Sequence, residues 1–392
     1  MSAEARGEPG GDLAERAFQA ALRLHAFLEE RFWDGRTLGG PDQGVRWHLR
    51  VGRFAKSYLP LLQGRERLVF RQGQGYWALA NGALARATGE ARFRALALAV
   101  GEECRDSQLP DGSWGYPMRA RRHLKATVEG DFAAVALLEA YQATGDARFR
   151  EAALAWHRFL EERIGYEPHP SGGLAVHYFD RPRGLVPNNS AELVWILGRY
   201  ATALEDRAFL ARVPALETFL EAVQYPSGEL PYELPGRHDP RHQPHYLCYQ
   251  YNAFQALKLW WHFEAHADAR AEALARRITG YLKSGVRPSG ASRCACGVDL
   301  PEVVYYADVL ALALLLGARH GVAGAAELSE RGVGWVLSRQ LRNGGFRFSR
   351  GDYRVLADRR FYPRNLAMTL FHLLEWARLR GARPPGNAGG SR

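Results

Sequence analysis

Two nearly identical segments, Thr88-Gly89-Glu90-Ala91-Arg92-Phe93-Arg94 and Thr144-Gly145-Asp146-Ala147-Arg148-Phe149-Arg150, lie 56 residues apart. A second pair, His25-Ala26-Phe27-Leu28-Glu29-Glu30-Arg31 and His157-Arg158-Phe159-Leu160-Glu161-Glu162-Arg163, extends the similarity towards the N-terminus. Self-similarity at such intervals is the sequence signature of repeat architectures. We therefore expect a chain built from repeated structural units.

Each repeat contains an amphipathic helix followed, after a loop, by a helix that is apolar on most faces. The amphipathic helices are predicted over residues 12–32, 91–107, 147–163, 207–223, 269–284 and 325–340. The apolar helices are predicted over residues 73–87, 130–143, 189–204, 250–265, 302–318 and 363–379. Six such hairpins predict an all-α protein, an (α/α)6 toroid with amphipathic helices in the outer ring and apolar helices in the inner ring.

The predicted toroid has two different ends. All inner helices run parallel, because each hairpin reverses the chain, so their N-termini meet at one end, which we call the mouth. The loops that enter the inner helices are long, as in residues 108–128 and 224–249, whereas the turns that leave them are short, as in 144–146. Loops on a rigid scaffold commonly carry binding residues. The mouth is therefore the predicted functional end.

Composition is that of a folded protein, with 392 residues, 47% of them hydrophobic and 11% aromatic. We predict one toroid domain over residues 12–380, with flexible tails at 1–11 and 381–392, which are rich in Gly, Pro and small polar residues. The net charge is +10, but the arginines are dispersed along the chain. This dispersion favours a solvated surface over a nucleic-acid partner.

The sequence also predicts location and redox state. Residues 1–7 contain no apolar segment typical of a secretory signal, and no run of about 18 apolar residues follows, so we expect a cytoplasmic protein without a transmembrane segment. The four cysteines, Cys104, Cys248, Cys294 and Cys296, are too few for a disulfide framework. We expect reduced thiols, no cofactor and no metal, and the oligomeric state is left open.

A loop motif with the spacing Q-x3-G-x-aromatic recurs after the outer helices. It reads Gln108-Leu109-Pro110-Asp111-Gly112-Ser113-Trp114 and Gln340-Leu341-Arg342-Asn343-Gly344-Gly345-Phe346, and more weakly Gln224-Tyr225-Pro226-Ser227-Gly228-Glu229-Leu230. Glycine allows the positive φ of a turn, and the glutamine amide can bond the free ends of neighbouring helices. The aromatic residue can fill the groove between repeats.

This motif resembles the "QW" repeat of the terpenoid cyclase and protein prenyltransferase superfamily, whose members are α/α toroids. The resemblance implies the fold, whereas several residues depart from the family's sites. The D-x-D-D-T motif of squalene-hopene cyclases is reduced to Asp131 in the segment Val128 to Ala133. Cys294-Ala295-Cys296, Asp299, His245 and Cys248 do not follow the order of the prenyltransferase zinc ligands.

Polar and aromatic residues cluster at the predicted start of every inner helix. The candidate catalytic residues are Glu129, Asp131, Tyr306 and Glu302. The candidate substrate-binding residues are Gln74, Tyr76, Trp77, Asn188, Asn189, Glu192, His245, Tyr249, Gln250, Asn252, Tyr305, Asp308, Arg360, Tyr362 and Arg364, together with Gln72. Some of them, such as Asn189, Asp131 and Glu302, also fit a simple helix-capping role.

Aromatic faces combined with carboxylates and amides suit sugar rings, and arginines suit an anionic group. The sequence therefore predicts non-redox acid–base chemistry of the epimerase, lyase or hydrolase type on a polar, anionic, carbohydrate-like substrate. Glu129 or Asp131 is the predicted acid or base, Tyr306 its counterpart, and Arg360 and Arg364 the residues that hold the anion. Two alternatives stay open: an enzyme acting on an isoprenoid in an apolar tunnel, and a non-catalytic toroid with a plugged mouth.

Overall fold

The computed structural model describes residues 9–42, 51–62, 67–181, 184–237 and 243–382. Most of both predicted tails lies outside these ranges, although the first helix begins at Pro9, inside the predicted N-terminal tail. Among the described residues, no helix combines the length and apolar character needed to span a bilayer.

The inner ring consists of six helices, α3 (Arg71–Thr88), α5 (Thr127–Thr144), α7 (Pro187–Ala203), α9 (Cys248–His266), α11 (Val304–Arg319) and α13 (Pro363–Leu379). The outer ring consists of α1 (Pro9–Phe32), α4 (Ala91–Asp106), α6 (Ala147–Phe159), α8 (Val213–Val223), α10 (Ala269–Leu282) and α12 (Ala325–Leu337). Each inner helix packs on its two neighbours in the ring, and α13 packs back on α3. The ring is therefore closed, which confirms the predicted (α/α)6 toroid.

The inner helices are more completely buried than the outer helices, as the apolar pattern predicts. Helix α11 is buried at every position from Val304 to Gly317. The outer helix α4 buries only a stripe, in which Phe93, Val100 and Cys104 face the inner helices. A helix that is apolar on all faces is stable only when it is enclosed on all sides, and here the outer ring encloses it.

The repeated Thr-Gly segment forms the turn from an inner helix to the next outer helix. Gly89 and Gly145 end α3 and α5 with φ of 74° and 71°, a left-handed conformation that costs glycine little. The hydroxyls of Thr88 and Thr144 donate to backbone carbonyls one turn earlier, at 2.9 and 2.7 Å. The sequence repeat therefore reports a structural turn at the end of the toroid opposite the mouth.

The glutamine motif ties consecutive repeats together. The side-chain amides of Gln108, Gln224 and Gln340 each donate to the carbonyl of the motif glycine at 2.9 Å. Each amide also donates to a carbonyl of the next outer helix in the ring, on Ala152, Leu274 and Ala20 respectively. These acceptors lie within helices, so the expectation of bonds to free helix ends is wrong.

The same turn also forms where the motif is not recognisable in the sequence. In residues 169–173 and 287–291, as in the three glutamine loops, the first N–H donates to the fifth carbonyl and the glycine N–H to the first carbonyl. Neither segment begins after a glutamine. The hydrogen-bonded turn therefore recurs in more loops than the sequence motif does.

Several local features differ from the sequence prediction. The predicted outer helix 207–223 is split into a 3-10 segment, Arg207–Arg212, and α8, because Pro214 lacks an N–H and is tolerated only in the first turn of a helix. A short helix, α2 (Val51–Tyr58), lies in the loop between α1 and α3. Two small antiparallel ribbons pair β1 (Tyr166–Pro168) with β2 (Leu174–Val176), and β3 (Glu302–Val303) with β4 (Ser349–Arg350).

Candidate active site

A pocket of about 130 Å³ lies at the mouth, between the N-terminal ends of the inner helices. Every inner helix contributes to its wall. The lining residues are Gln72, Val128, Tyr178, Val186, Asn188, Asn189, Glu192, Tyr232, Gln250, Tyr251, Phe254, Tyr305, Arg364, Asn365 and Met368. The pocket is smaller than the roughly 300–1,000 Å³ that is usual for drug-sized ligands.

Helical spacing determines which side chains reach this pocket. Residues three or four apart share one face of a helix. In α7 the rim residue Asn188 is followed one turn deeper by Glu192, and in α9 Gln250 is followed by Phe254. Each inner helix thus contributes one or two residues of its first turn to the pocket wall and at most one residue of its second turn.

Two buried carboxyl groups lie at this end of the ring. Burial raises the pKa of Glu192 to about 7, and the nearby Lys258 limits the rise. Burial likewise raises the pKa of Glu129 to about 7, and the positive charges of Arg364 and Arg71 limit it. One oxygen of Glu129 accepts the backbone N–H of Arg71 at 2.5 Å, and the other has no partner among the described residues. Both groups can gain or lose a proton near neutral pH.

A lysine lies beneath the pocket floor. Lys258 is buried in α9, one turn beyond the pocket residue Phe254, and its ammonium lies 3.7 Å from the ring centre of Trp195 and 4.8 Å from that of Phe132. Burial lowers the pKa of Lys258 to about 7, while the charge of Glu192 opposes this. Because Lys258 and Glu192 interact across the floor, the protonation of either one depends on the other.

Three polar atoms of the wall are buried and have no hydrogen-bond partner among the described residues. They are Nδ2 of Asn189, Oε1 of Gln250 and Oδ1 of Asn365. Leaving such groups unpaired costs about 1–3 kcal/mol each, so native proteins rarely do so without a ligand or water. All three residues belong to the wall of the mouth pocket.

The arginine of the pocket is already neutralised. Arg364 makes a two-pronged ion pair with Asp42, at 2.8 and 2.9 Å, and lies over the ring of Phe70 at 4.2 Å. Its third contact is the side-chain oxygen of Gln72, at 3.4 Å. The guanidinium can still donate to a ligand, but its charge is balanced by a carboxylate.

Of the predicted site residues, the structure brings seven together in the pocket wall: Gln72, Asn188, Asn189, Glu192, Gln250, Tyr305 and Arg364. Glu129 lies beside them, as its electrostatic interaction with Arg364 shows. The helix-capping alternative is not observed for Asn189, Asp131 or Glu302. The N-cap positions of α7, α5 and α11 are Val186, Ala126 and Val303, and none makes a side-chain capping bond.

Other predicted residues of the first turns hold the scaffold together. Gln74 exchanges two hydrogen bonds with the backbone of Leu38, and Asn252 does the same with Leu230. Trp77 stacks on His25 of the outer helix α1, with ring centres 4.5 Å apart. Tyr249 stacks on Tyr281, and His245 bonds Glu229. On the helices, these side chains leave on faces directed away from the toroid axis, and His245 lies in the loop before α9.

A further group is buried below or beside the pocket. Asp131 accepts the indole N–H of Trp156 at 2.9 Å, and Asp308 bonds His372 at 2.7 Å. Tyr76 stacks on Phe132, and Tyr306 packs edge to face on Tyr305. None of these four predicted residues lines the pocket.

Three predicted residues face a different part of the molecule. Glu302 forms ion pairs with Arg287 and Arg350 in the wall of a separate pocket of about 290 Å³. Arg360 and Tyr362 both bond the buried carboxylate of Asp358, at 3.0 and 2.6 Å. The predicted role of Arg360 in holding a substrate anion is therefore not compatible with its position.

Five polar residues of the site were absent from the sequence-based set: Tyr178, Tyr232, Tyr251, Asn365 and Lys258. Tyr178 and Tyr232 come from loops, where no periodicity indicates which side chains turn inward. Asn365 follows Arg364 and shares its exposure to the pocket. Lys258 had a visible signal, since a single lysine interrupts the otherwise uncharged segment 250–263 of α9.

A larger cavity of about 690 Å³ opens at the other end of the toroid, between the C-terminal halves of the inner helices. Its wall includes Trp195, Trp261 and Phe371, but also Arg199 and Glu375. It is therefore not lined by apolar residues alone. The scaffold alternative predicts that the loops Arg119 to Lys125 and Arg237 to Pro244 plug the mouth. In the described part of the chain, which leaves out residues 238–242 of the second loop, the mouth keeps an open pocket.

We expect Glu129 to make stability depend on pH. Its pKa of about 7 lies above the ordinary 4.5, so the folded state holds a proton that the unfolded chain releases. The resulting stabilisation is complete below pH 4.5 and is lost as pH rises through 7, a loss of about 2 kcal/mol between pH 5 and 7. Urea unfolding at both pH values should show a loss that is about 2 kcal/mol smaller in Glu129→Gln than in the wild type, because the raised pKa values of Glu192 and Glu217 contribute in both proteins.

The exposed Glu327→Gln serves as the control, since its carboxylate is in an ion pair at the surface. It should keep the wild-type pH dependence. An unchanged pH dependence in Glu129→Gln contradicts the assignment of a raised pKa.

Comparison with known proteins rests on structure. No family model matches the chain, and no curated protein matches its sequence. Among solved structures, the fold is similar to cellobiose 2-epimerase from Bacillus thermoamylovorans, with a TM-score of 0.68 and 14% identity over 92% of this chain and 98% of that one. It is similar to a family 76 glycoside hydrolase from a bovine Bacteroides thetaiotaomicron strain, with a TM-score of 0.67 and 12% identity over 93% and 78%.

A third similar structure is an unsaturated glucuronyl hydrolase specific for heparin, with a TM-score of 0.64 and 11% identity over 94% of this chain and 97% of that one. The likeness is one of fold. The α/α toroid is thereby shared with an epimerase and two hydrolases, whereas the terpenoid cyclase superfamily that the loop motif resembles is not confirmed by these comparisons. At such identities the fold does not carry the activity of any one relative.

Proposed function

We propose that the protein is a carbohydrate-active enzyme that performs acid–base chemistry on one sugar ring held in the mouth pocket. The observation that carries this proposal is the placement of Glu192 in the wall of that pocket with a pKa of about 7. A carboxyl group half-protonated at neutral pH can act as a general acid or as a general base. Glu129 is the proposed second proton-transfer group.

The remaining wall suits a sugar. The faces of Tyr178, Tyr232, Tyr251 and Tyr305 offer surfaces on which the C–H face of a sugar ring can stack, and their hydroxyls can hydrogen-bond its oxygens. The unpaired amide atoms of the wall match hydroxyl donors and acceptors. A hydrocarbon substrate would leave all these groups unsatisfied.

Lys258 stabilises the charged form of Glu192 during proton transfer. When Glu192 loses its proton, the ammonium beneath it compensates the new charge in a region from which water is excluded. When Glu192 is protonated, Lys258 can release its own proton, since burial lowers its pKa to about 7. The two groups thus keep the floor close to neutral through a proton-transfer cycle.

The two arginines that were expected to hold a substrate anion are both paired with carboxylates. Arg364 is paired with Asp42, and Arg360 with Asp358, so neither offers an unbalanced positive charge. The N-termini of six parallel helices still favour a negative group at the mouth. Neutral sugars and uronic acids are therefore both included in the test.

A second candidate function is suggested by the cavity at the other end of the toroid. Its volume of about 690 Å³ and its aromatic wall suit an isoprenoid, as the resemblance to terpenoid cyclases implies. The arginines there are paired, since Arg86 and Arg199 both bond Glu139. Because the volume and the aromatic wall of this cavity suit an isoprenoid, prenyl diphosphates belong in the same substrate panel.

The test is a substrate panel followed by proton NMR. We expect the wild type to convert at least one neutral or uronic mono- or disaccharide. Deuterium uptake from D2O at a carbon next to a carbonyl indicates epimerisation, a new reducing end indicates hydrolysis, and a new vinyl proton indicates elimination. Turnover of prenyl diphosphates alone would support the second candidate. No binding or turnover of any sugar overturns the proposal.

A further inference from the structure

Three side chains with metal-ligating atoms converge beside the mouth pocket, and the thiol of Cys248 lies next to one of them. Oε1 of Glu229 lies 3.0 Å from Nδ1 of His245 and 3.7 Å from Sγ of Cys296. The ligating atoms of these three residues all lie within 4.8 Å of one another. The thiol of Cys248, the first residue of α9, contacts the side chain of Cys296.

The two shortest distances in this group are close to the edge lengths of a tetrahedral zinc site. With Zn–S of about 2.3 Å and Zn–N and Zn–O of about 2.1 Å, neighbouring ligand atoms are about 3.4–3.8 Å apart. The distance of 3.7 Å lies within this range and that of 3.0 Å slightly below it, so Glu229, His245 and Cys296 are already gathered around one point. The side chain of Cys248 lies outside this group and turns towards it to complete the site.

The donor set selects the kind of metal. Two thiolates, one imidazole and one carboxylate form a soft, borderline set that suits Zn²⁺ and excludes Mg²⁺ and Ca²⁺, which need oxygen ligands. Glu229 and Cys248 are 4% and 1% exposed, so half of the set is already withdrawn from water. Burying a carboxylate next to thiols is unfavourable without a compensating positive charge.

From this geometry we infer that Cys248, Cys296, His245 and Glu229 form a structural zinc site. The ligands come from three segments: the turn after α8, the start of α9 and the loop between α10 and α11. Four protein ligands leave no open position, which is typical of structural rather than catalytic zinc. Cys294, only two residues from Cys296, is not in the cluster, since its electrostatic neighbours are Asp352 and Arg53.

Such a site would fix one wall of the mouth pocket. Tyr232 lies in the loop between the ligands Glu229 and His245, and Gln250 and Tyr251 follow the ligand Cys248 directly. The sequence alone did not indicate the site, because its ligands are scattered over 68 positions without a recognisable spacing. The inference does not depend on the proposed function.

The experiment uses the full-length protein, purified with a reducing agent, stripped with a chelator and titrated with zinc sulfate. Metal content after gel filtration is measured by mass spectrometry. We expect one Zn²⁺ per chain in the wild type and in Cys294→Ser, the matched control. In Cys296→Ser and Cys248→Ser we expect affinity to fall by about 100-fold or more, because a thiolate ligand is lost.

Replacing zinc with Co²⁺ gives an independent readout. We expect a thiolate-to-cobalt charge-transfer band and intense visible bands in the wild type, and their loss in Cys296→Ser. If circular dichroism shows that a cysteine variant is unfolded, His245→Ala replaces it, since that side chain is 57% exposed and its removal leaves the core intact. The inference is overturned if the wild type binds no zinc. It is also overturned if Cys294→Ser and Cys296→Ser lose zinc affinity equally.

Discussion

Glu192→Gln is expected to lower the turnover of the sugar substrate by about 100- to 10,000-fold, the usual contribution of a general acid or base. Glutamine keeps the size and most hydrogen bonds of the side chain but cannot exchange a proton. Because Glu192 lies in the pocket wall and burial raises its pKa to about 7, the loss should appear mainly in kcat. In the wild type, kcat/KM should change with pH around 7, and this change should be smaller in the variant, in which Glu129 alone remains as a proton-transfer group with a pKa of about 7.

The matched control is Glu217→Gln. Glu217 is also a buried glutamate, and burial raises its pKa to about 8, but it lies in the outer helix α8 near Asp268 and Arg270. The same substitution at a similar pKa outside the pocket should leave turnover close to that of the wild type. If Glu192→Gln keeps more than half of the activity, or if both variants lose it equally, the assignment of Glu192 is wrong.

Trp156→Ala is expected to lower the free energy of unfolding by about 3–5 kcal/mol, the cost of removing a buried tryptophan. Trp156 is 1% exposed, stacks on Phe159, and fills the space that Gly130 leaves open. Its indole N–H is the hydrogen-bond donor to the buried Asp131. Removing it creates a cavity and leaves a buried carboxyl group without its partner, and both effects are unfavourable.

Trp156→Phe separates the two effects. It keeps most of the aromatic volume and loses the hydrogen bond, so its destabilisation should be about 1–3 kcal/mol, clearly smaller than that of alanine. Urea unfolding of the three proteins, followed by circular dichroism, provides the comparison. If Trp156→Ala lowers the free energy of unfolding by less than 1 kcal/mol, the contact between α5 and α6 does not stabilise the toroid.

The toroid could be predicted because its signals are local. Apolar residues repeat along each helix, the Thr-Gly turns recur at Gly89 and Gly145, and these patterns depend only on neighbouring residues. Inner helix α13 was predicted with its observed bounds, Pro363–Leu379, since a proline starts it and a charged segment follows. The break at Pro214 was missed because the amphipathic pattern continues through it.

The site could be predicted only as a set of helix ends. Knowing that the first turns of α7 and α9 meet at the mouth is enough to select Asn188, Glu192 and Gln250. It does not exclude Trp77 or Asn252, because the rotation of each helix about its own axis depends on its packing partners. Trp77 turns outward to His25, and that contact joins residues 52 positions apart.

The sequence by itself determined the all-α toroid, the direction of its inner helices and the end at which polar residues collect, because periodicity and turn chemistry act over a few residues. Only the tertiary structure decided that Glu192 shares a pocket with four tyrosines, and that Arg364 is neutralised by Asp42. It alone brought Cys248 and Cys296 together. Side-chain direction, burial and charge pairing depend on residues that are distant in sequence, and such contacts exist only once the ring is closed.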